Sequence, residues 1–328
     1  MSAVAVEDAA PLRRRGSLPI PLILLAGSAA LYVATALLSE QPAALTGEGI
    51  IGLLQRMVGL GIVAIGQTFV VLVGSIDLSV ANLISVAAVL ASFIMQGDTA
   101  MIAPAVIAVL LISALVGVVN GLVVTQLQVN PLIATLGVGL ILQGLLSASF
   151  DNFAGSVPES FQVAAYGGVG GMPYSVLGLG ILAIAAWGTL RNTRFGAHIY
   201  ATGGNRQGAR LAGVRTDRVI VSAHVICSLT AGLTGLYLAS RLRSGAPWVG
   251  RDGVYDLESI AVVVIGGTLL SGGRGGVWGT LAGVFLFATL DAVFNMTGVD
   301  AFAKQVLRGA IVVAAVAVYA FRNKAHVA

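Results

Sequence analysis

A chain of 328 residues that is 57% hydrophobic and only 10% charged is not an ordinary soluble domain, in which about a quarter of residues are charged. Its net charge of +4 comes from basic residues gathered in the connections on one side of apolar spans, which excludes nucleic-acid binding as its cause. The 43 glycines are about twice the usual share and point to closely packed and broken membrane helices.

Residues 1–17 are a short polar tail ending in Arg13, Arg14 and Arg15. The apolar run 18–38 is long enough to span. No small-residue cleavage site follows, so it reads as a first span and not a signal peptide. Residues 50–73 return inward and carry Gln67 and Thr68; the stretch 74–79 then interrupts the apolar sequence and holds Asp77. Residues 80–95 run outward with Asn82. Residues 101–127 come inward with Asn120 and a Gly117-x-x-x-Gly121 close-packing face. Residues 132–149 go outward with Gln143, 150–173 form a longer outer loop, and 174–190 return.

The basic segment 191–218 must then lie outside the lipid, and its charge places it in the cytoplasm. Within it, 193–214 offers Asn205 as a helix N-cap and Gly213 as a C′ residue, with room for about two turns between them. Arg206 and Arg210 share a face there. Two readings fit: a surface for another protein to push on, or a basic loop that only fixes topology.

Residues 219–240 go out, and 241–257 form an outer segment of mixed charge. Residues 258–270 are a short inward run ending in a second glycine-rich break, 271–276. Residues 277–295 go out, with Asp291 and Asn295, and 305–321 come in. The expectation is an all-α polytopic protein of about ten transmembrane helices. It has one membrane domain, 18–321, a cytoplasmic tail at 322–328 and both termini in the cytoplasm. The two glycine-rich breaks fit either turns or re-entrant segments. Their strings, Val71–Ser75 with Leu78-Ser79 and Val264–Gly267 with Leu270-Ser271, are alike in pattern, as an internal duplication or chance similarity would make them.

No nucleophile–base constellation, zinc spacing or Walker A loop is present; the two lysines, Lys304 and Lys324, follow no phosphate-binding glycines. The chain therefore reads as no enzyme, binding no metal or cofactor itself; if ATP drives it, another chain hydrolyses it. Asp77 fits both a helix cap and a transport role. Asp291, an acid within a span, suits a polar contact lining a pathway. Arg56 is placed to snorkel to the outer interface. Gln67, Thr68, Asn82, Asn120, Gln143 and Asn295 are the neutral polar residues able to line the same pathway. Arg241, Arg243 and Arg251 on the outer face are candidates for docking acidic groups of a binding protein, or for pairing with Asp252, Asp256 and Glu258. His224 is expected to bond a neighbouring helix. An ion-coupled secondary transporter is the alternative reading.

Several strings in this order resemble the permease subunits of ribose/xylose-type sugar ATP-binding-cassette importers, a branch of the branched-chain amino acid/ribose permease superfamily. They are Ser75-Ile76-Asp77-Leu78-Ser79-Val80, Asn130-Pro131-Leu132-Ile133-Ala134-Thr135-Leu136-Gly137, Phe195-Gly196 with Tyr200-Ala201-Thr202-Gly203-Gly204-Asn205, Arg210-Leu211-Ala212-Gly213-Val214, Glu258-Ser259-Ile260-Ala261, and Val264-Ile265-Gly266-Gly267-Thr268 before Gly272-Gly273. The resemblance covers nearly all of the chain after about residue 50. It implies a fold of the vitamin-B12-importer-like type in the bacterial inner membrane. It implies three partners: an extracytoplasmic solute-binding protein, a second permease copy or sister permease, and a separate ATPase, often a fused double nucleotide-binding chain, that carries ATP and Mg. By that resemblance Phe195, Gly196, Tyr200, Gly203, Gly204, Asn205, Arg206, Arg210 and Gly213 form the coupling segment. Ala197, Ser75 and Asn130 depart from the family pattern, which has a basic residue, Gly and Pro there; Asn130 leaves its turn less rigid.

Overall fold

The computed structural model describes residues 20–300, 302–311 and 313. The tail arginines and the end of the last expected span lie outside these residues. Helices dominate, in the order α1 (Ile20–Leu38), α2 (Gly47–Leu72), α3 (Val80–Met95), α4 (Ile102–Thr125), α5 (Pro131–Ser149), α6 (Glu159–Tyr166), α7 (Tyr174–Asn192), α8 (Arg194–Gly204), α9 (Arg206–Leu211), α10 (Thr216–Leu242), α11 (Val249–Asp252), α12 (Tyr255–Ile265) and α13 (Val277–Met296). Residues 302–311 form a further helix, α14, entered through Asp300, whose side chain accepts from the Phe302 and Ala303 amides. Those two amides hold the exposed Asp300 carboxyl below its usual range. Strands β1 (Gly168–Val169) and β2 (Met172–Pro173) make a small antiparallel hairpin in the 150–173 loop.

Seven described helical segments are long and apolar enough to cross a membrane, and α3 is a shorter apolar helix. Their outward faces are apolar, as with Leu111, Ile133, Ile141 and Ile181, as lipid requires. α12, of 11 residues, is only about 16 Å long and too short to cross alone.

α10 is the centre. It carries no polar face, is mostly buried, and packs on α4, α2 and α3. The α4 contact is the expected glycine face: a Cβ on Gly117 would lie 2.5 Å from the Val225 Cα, and one on Gly121 2.6 Å from the Val221 Cα. Gly121→Ala is expected to push α4 off α10 at a cost of about 1–3 kcal/mol. Gly188→Ala in α7, where a Cβ meets nothing within 4 Å, should be neutral or slightly stabilising. Thermal unfolding in detergent separates the two; equal melting temperatures would refute the packing argument.

Two departures from the family pattern gain a structural use. Asn130 caps α5 by accepting from the Leu132 amide at 2.9 Å. The turn is thus held by a cap, contrary to the expectation of a looser one. Ser75 Oγ lies 2.9 Å from His224 Nε2, a bond that glycine cannot make.

The expected outer segment 241–257 is corrected. It does not stay outside the bundle but runs back along α3. Gly245 packs on Ala88 and Ser92, and Gly250 on Ala81 and Ile84. The Gly250 amide donates to Ser85 Oγ at 3.0 Å. Small residues at those contacts admit the backbone, and its polar groups find partners there. The basic segment differs too: residues 194–204, read only as loop, are the helix α8.

Candidate functional site

The basic segment 193–214 is built from two capped helices. Thr193 Oγ1 accepts from the Gly196 amide at 3.1 Å to start α8. Asn205 Oδ1 accepts from the Gly208 amide at 2.8 Å to start α9. Gly213, at φ +86°, ends it, with Val214 N–H returning to Ala209 O at 3.0 Å. α8 buries Gly196, Ile199 and Thr202, and Phe195 packs against the core. The half-buried Tyr200 donates its hydroxyl to Gly275 O at 3.0 Å, and burial raises its phenol pKa.

At the end of α8 the chain meets the end of α2 and the 271–276 break backbone to backbone. The Gly273 amide donates to Leu72 O at 2.9 Å, joining the end of α2 to the 271–276 break. Gly203 sits over that bond: a Cβ there would overlap the Leu72 carbonyl oxygen and lie 2.6 Å from the Gly273 nitrogen. Gly272 and Gly273, at φ +86° and +73°, approach Gly203 and Gly204 from the other side. Gly204 itself has open space where its Cβ would be.

Arg206 and Arg210 share a face as expected, and that face meets Asp217 at the start of α10. Arg206 Nη2 lies 2.9 Å and Arg210 Nη2 2.6 Å from one carboxylate oxygen, Asp217 Oδ1. Sequence reasoning missed Asp217, although it is the only acid between residues 193 and 218. It links α9 to the central helix. Gln207, Leu211 and Ala212 stay exposed beside it.

Asp77 is fully buried and caps the turn into α3. Its Oδ1 accepts from the Ser79 amide at 2.9 Å and the Ser79 hydroxyl at 2.6 Å. Asn120 Nδ2 donates to Ser79 Oγ at 2.8 Å and lies 3.3 Å from Asp77 Oδ2, the oxygen that also faces His224 Nδ1 at 3.3 Å. The break is thereby fastened to α4 and α10.

The other polar candidates divide. Gln67 is buried, with Oε1 accepting from Cys227 Sγ at 3.2 Å, and Thr68 meets Thr280 hydroxyl to hydroxyl at 2.7 Å. Asn82 and Gln143 come together in an open cavity of about 200 Å³, with Ser147, Asp151 and Trp248 beside them and Arg251 on the inserted segment. Asp291 pairs with Arg56 and Arg308, each at 2.7 Å. Asn295 donates to Asp291 O at 2.8 Å and accepts from Lys304 at 2.6 Å. The three arginines expected on the outer face have separate neighbours: Arg241 donates to the Tyr237 hydroxyl at 3.1 Å, Arg243 lies over the Tyr166 ring at 5.5 Å, and Arg251 pairs with Asp252 at 3.3 Å. Among the described residues, no group of three or more His, Cys, Asp or Glu side chains could hold a metal ion.

Comparison with known proteins decides the family. The profile of permease components of branched-chain amino acid transport systems matches residues 49–316. The chain belongs to this permease family. It is 34% identical to the ribose import permease protein RbsC of Escherichia coli K12, over 88% of this chain and 91% of that one. It is 35% identical to the ribose import permease of Bacillus subtilis 168, over 84% and 85%. It is 34% identical to the L-arabinose transport system permease protein AraH of Escherichia coli K12, over 81% and 80%. No solved structure matches. This permease is thus a multi-pass inner-membrane protein of the sugar ATP-binding-cassette type, and its family is one of transport subunits, not catalytic enzymes.

Proposed function

We propose that the chain is the membrane-spanning subunit of an ATP-binding-cassette importer that translocates a small sugar or related polyol. A binding protein delivers the solute, and a separate ATPase, a fused double nucleotide-binding chain, powers transport. The relatives are permeases for ribose and L-arabinose, which supports the solute class. The observation that carries the reading is the contact of α8 with the end of α2 at Leu72 and with the 271–276 break at Gly273. A push on α8 and α9 from the cytoplasm reaches the pathway helices through that junction and through Asp217. ATP binding then shifts the permease between two packings of similar stability.

The architecture fits the vitamin-B12-importer-like type. Counting α3, α12 with the chain after it, and the 305–321 run brings the crossings to about ten. A second permease copy, identical or a sister, completes the pathway. Asn82 and Gln143 line it in this conformation, whereas Gln67, Thr68, Asp77 and Asn120 would reach it only in the other packing. Asn295, with Asp291, borders its outer part. The binding protein docks around the exposed Arg243 and Arg251, with Arg241 at the edge of that face. Ion coupling is the weaker reading, because Asp291 already holds two guanidinium partners.

The test is co-purification from detergent extract, comparing the native chain with one carrying Gly204→Pro and Arg210→Glu. Proline at the end of α8 removes a helical amide, and glutamate sets a like charge against Asp217. A soluble ATPase should accompany the native chain and be lost from the variant. If none accompanies either, the importer reading fails, and ion-driven uptake with Asp291→Asn becomes the experiment.

A further inference from the structure

A second cavity, of about 300 Å³, lies among α2, α10, α12, α13 and α14; the coupling assignment leaves it unused, and of the pathway candidates only Asp291 lines it. The inserted segment separates it from the cavity at Asn82: Trp248 and Arg251 line one, Val249 and Gly253 the other. Charged side chains among apolar helices belong to spaces filled by water or ligand. Arg56, Arg241, Glu258, Asp291 and Arg308 share this one.

Their pairing is incomplete. Asp291 is satisfied by Arg56 and Arg308. Glu258 is not: its side chain is only 10% exposed, and its Oε1 is 3.3 Å from Arg308 Nη1 but accepts no hydrogen bond among the described residues. Arg241 donates to the Tyr237 hydroxyl and has no carboxylate partner among the described residues. The cavity thus presents a buried acceptor lacking a donor and a guanidinium with donors to spare. A cation would satisfy Glu258 but meet three guanidiniums. An anion would satisfy Arg241 but meet the carboxylates of Glu258 and Asp291. A hydroxyl both donates and accepts, and Phe287 on the wall offers an apolar face to the carbon side of a sugar ring.

We propose that this cavity binds a neutral polyhydroxylated small molecule, with one hydroxyl donating to Glu258 and another accepting from Arg241. The choice of sugar probes rests on the importer reading. The experiment is saturation-transfer NMR on the full-length permease in lipid nanodiscs, with D-ribose, L-arabinose and D-galactose in turn, and 31P line broadening with inorganic phosphate. At least one sugar should receive transfer. Binding should weaken about tenfold or more in Glu258→Gln and in Arg241→Gln. Arg241 is exposed, so its variant is expected to keep the native melting temperature if Glu258→Gln does not fold. The proposal is overturned if no sugar receives transfer, if sugar affinity is unchanged in Arg241→Gln, or if phosphate broadening depends on Arg241. These residues are remote from α8 and α9. Lost sugar binding with the ATPase still co-purifying therefore rejects the cavity, and sugar binding without an ATPase rejects the importer.

Discussion

Gly203→Ala is expected to abolish solute uptake and to destabilise the permease, while Gly204→Ala beside it leaves the melting temperature unchanged. Both glycines end α8 and neither needs a positive φ. Composition and helix propensity do not tell them apart; packing does. A Cβ on Gly203 would occupy the place of the Leu72 carbonyl oxygen, whereas one on Gly204 meets nothing within 4 Å. Backbone is the obstacle, so no side-chain rotation relieves the clash. Either α8 lifts off the junction or the hydrogen bond from Gly273 to Leu72 opens. Overpacking of this kind costs about 1–3 kcal/mol or more, and the lifted helix loses its grip on the end of α2 and on the 271–276 break. The proposed ATPase docking on the exposed face of α9 should persist, so the partner ATPase would hydrolyse ATP without solute moving through the variant. Thermal unfolding and proteoliposome uptake check the pair. Normal uptake by Gly203→Ala would show that coupling bypasses this contact.

Asp77→Ala is expected to cost about 3 kcal/mol or more. The carboxylate accepts from the Ser79 amide, the Ser79 hydroxyl and Asn120, inside a site with no exposed surface. Alanine leaves those donors without that acceptor and removes the partner of His224. Asp77→Asn keeps an oxygen for the Ser79 cap but turns an amide toward Asn120, so it should fall between the native chain and alanine. Melting temperature and the monodisperse fraction on size exclusion are the readouts. If alanine and native chains melt together, the network is dispensable and Asp77 is free for another role.

Hydropathy is local and additive along the chain, so much was legible without a structure. The apolar runs, the polar break at 74–79, the caps at Asn205 and Gly213 and the glycine step at Gly117 and Gly121 are all properties of neighbouring residues. The family strings are of the same kind. Span ends were legible to within a few residues, as in α2 and α13, because an apolar run stops where lipid stops. The inserted segment was not legible: its charges, Arg241, Arg251 and Asp252, signal water, and only contact with α3 shows that Gly245, Ala246 and Gly250 between them are buried.

By itself, then, the sequence determined the class, the family, most of the long apolar helices and the caps at Asn205 and Gly213. Only the tertiary structure decided which polar residues meet. Asp77 and His224 are 147 positions apart, Thr68 and Thr280 are 212 apart, and Arg56 and Asp291 are 235 apart. Pairs like these depend on how helices cross, which no local pattern encodes. The meeting of Gly203 with Leu72 and Gly273 is of the same kind. Each glycine permits a close approach, but the bundle chooses which backbone comes close.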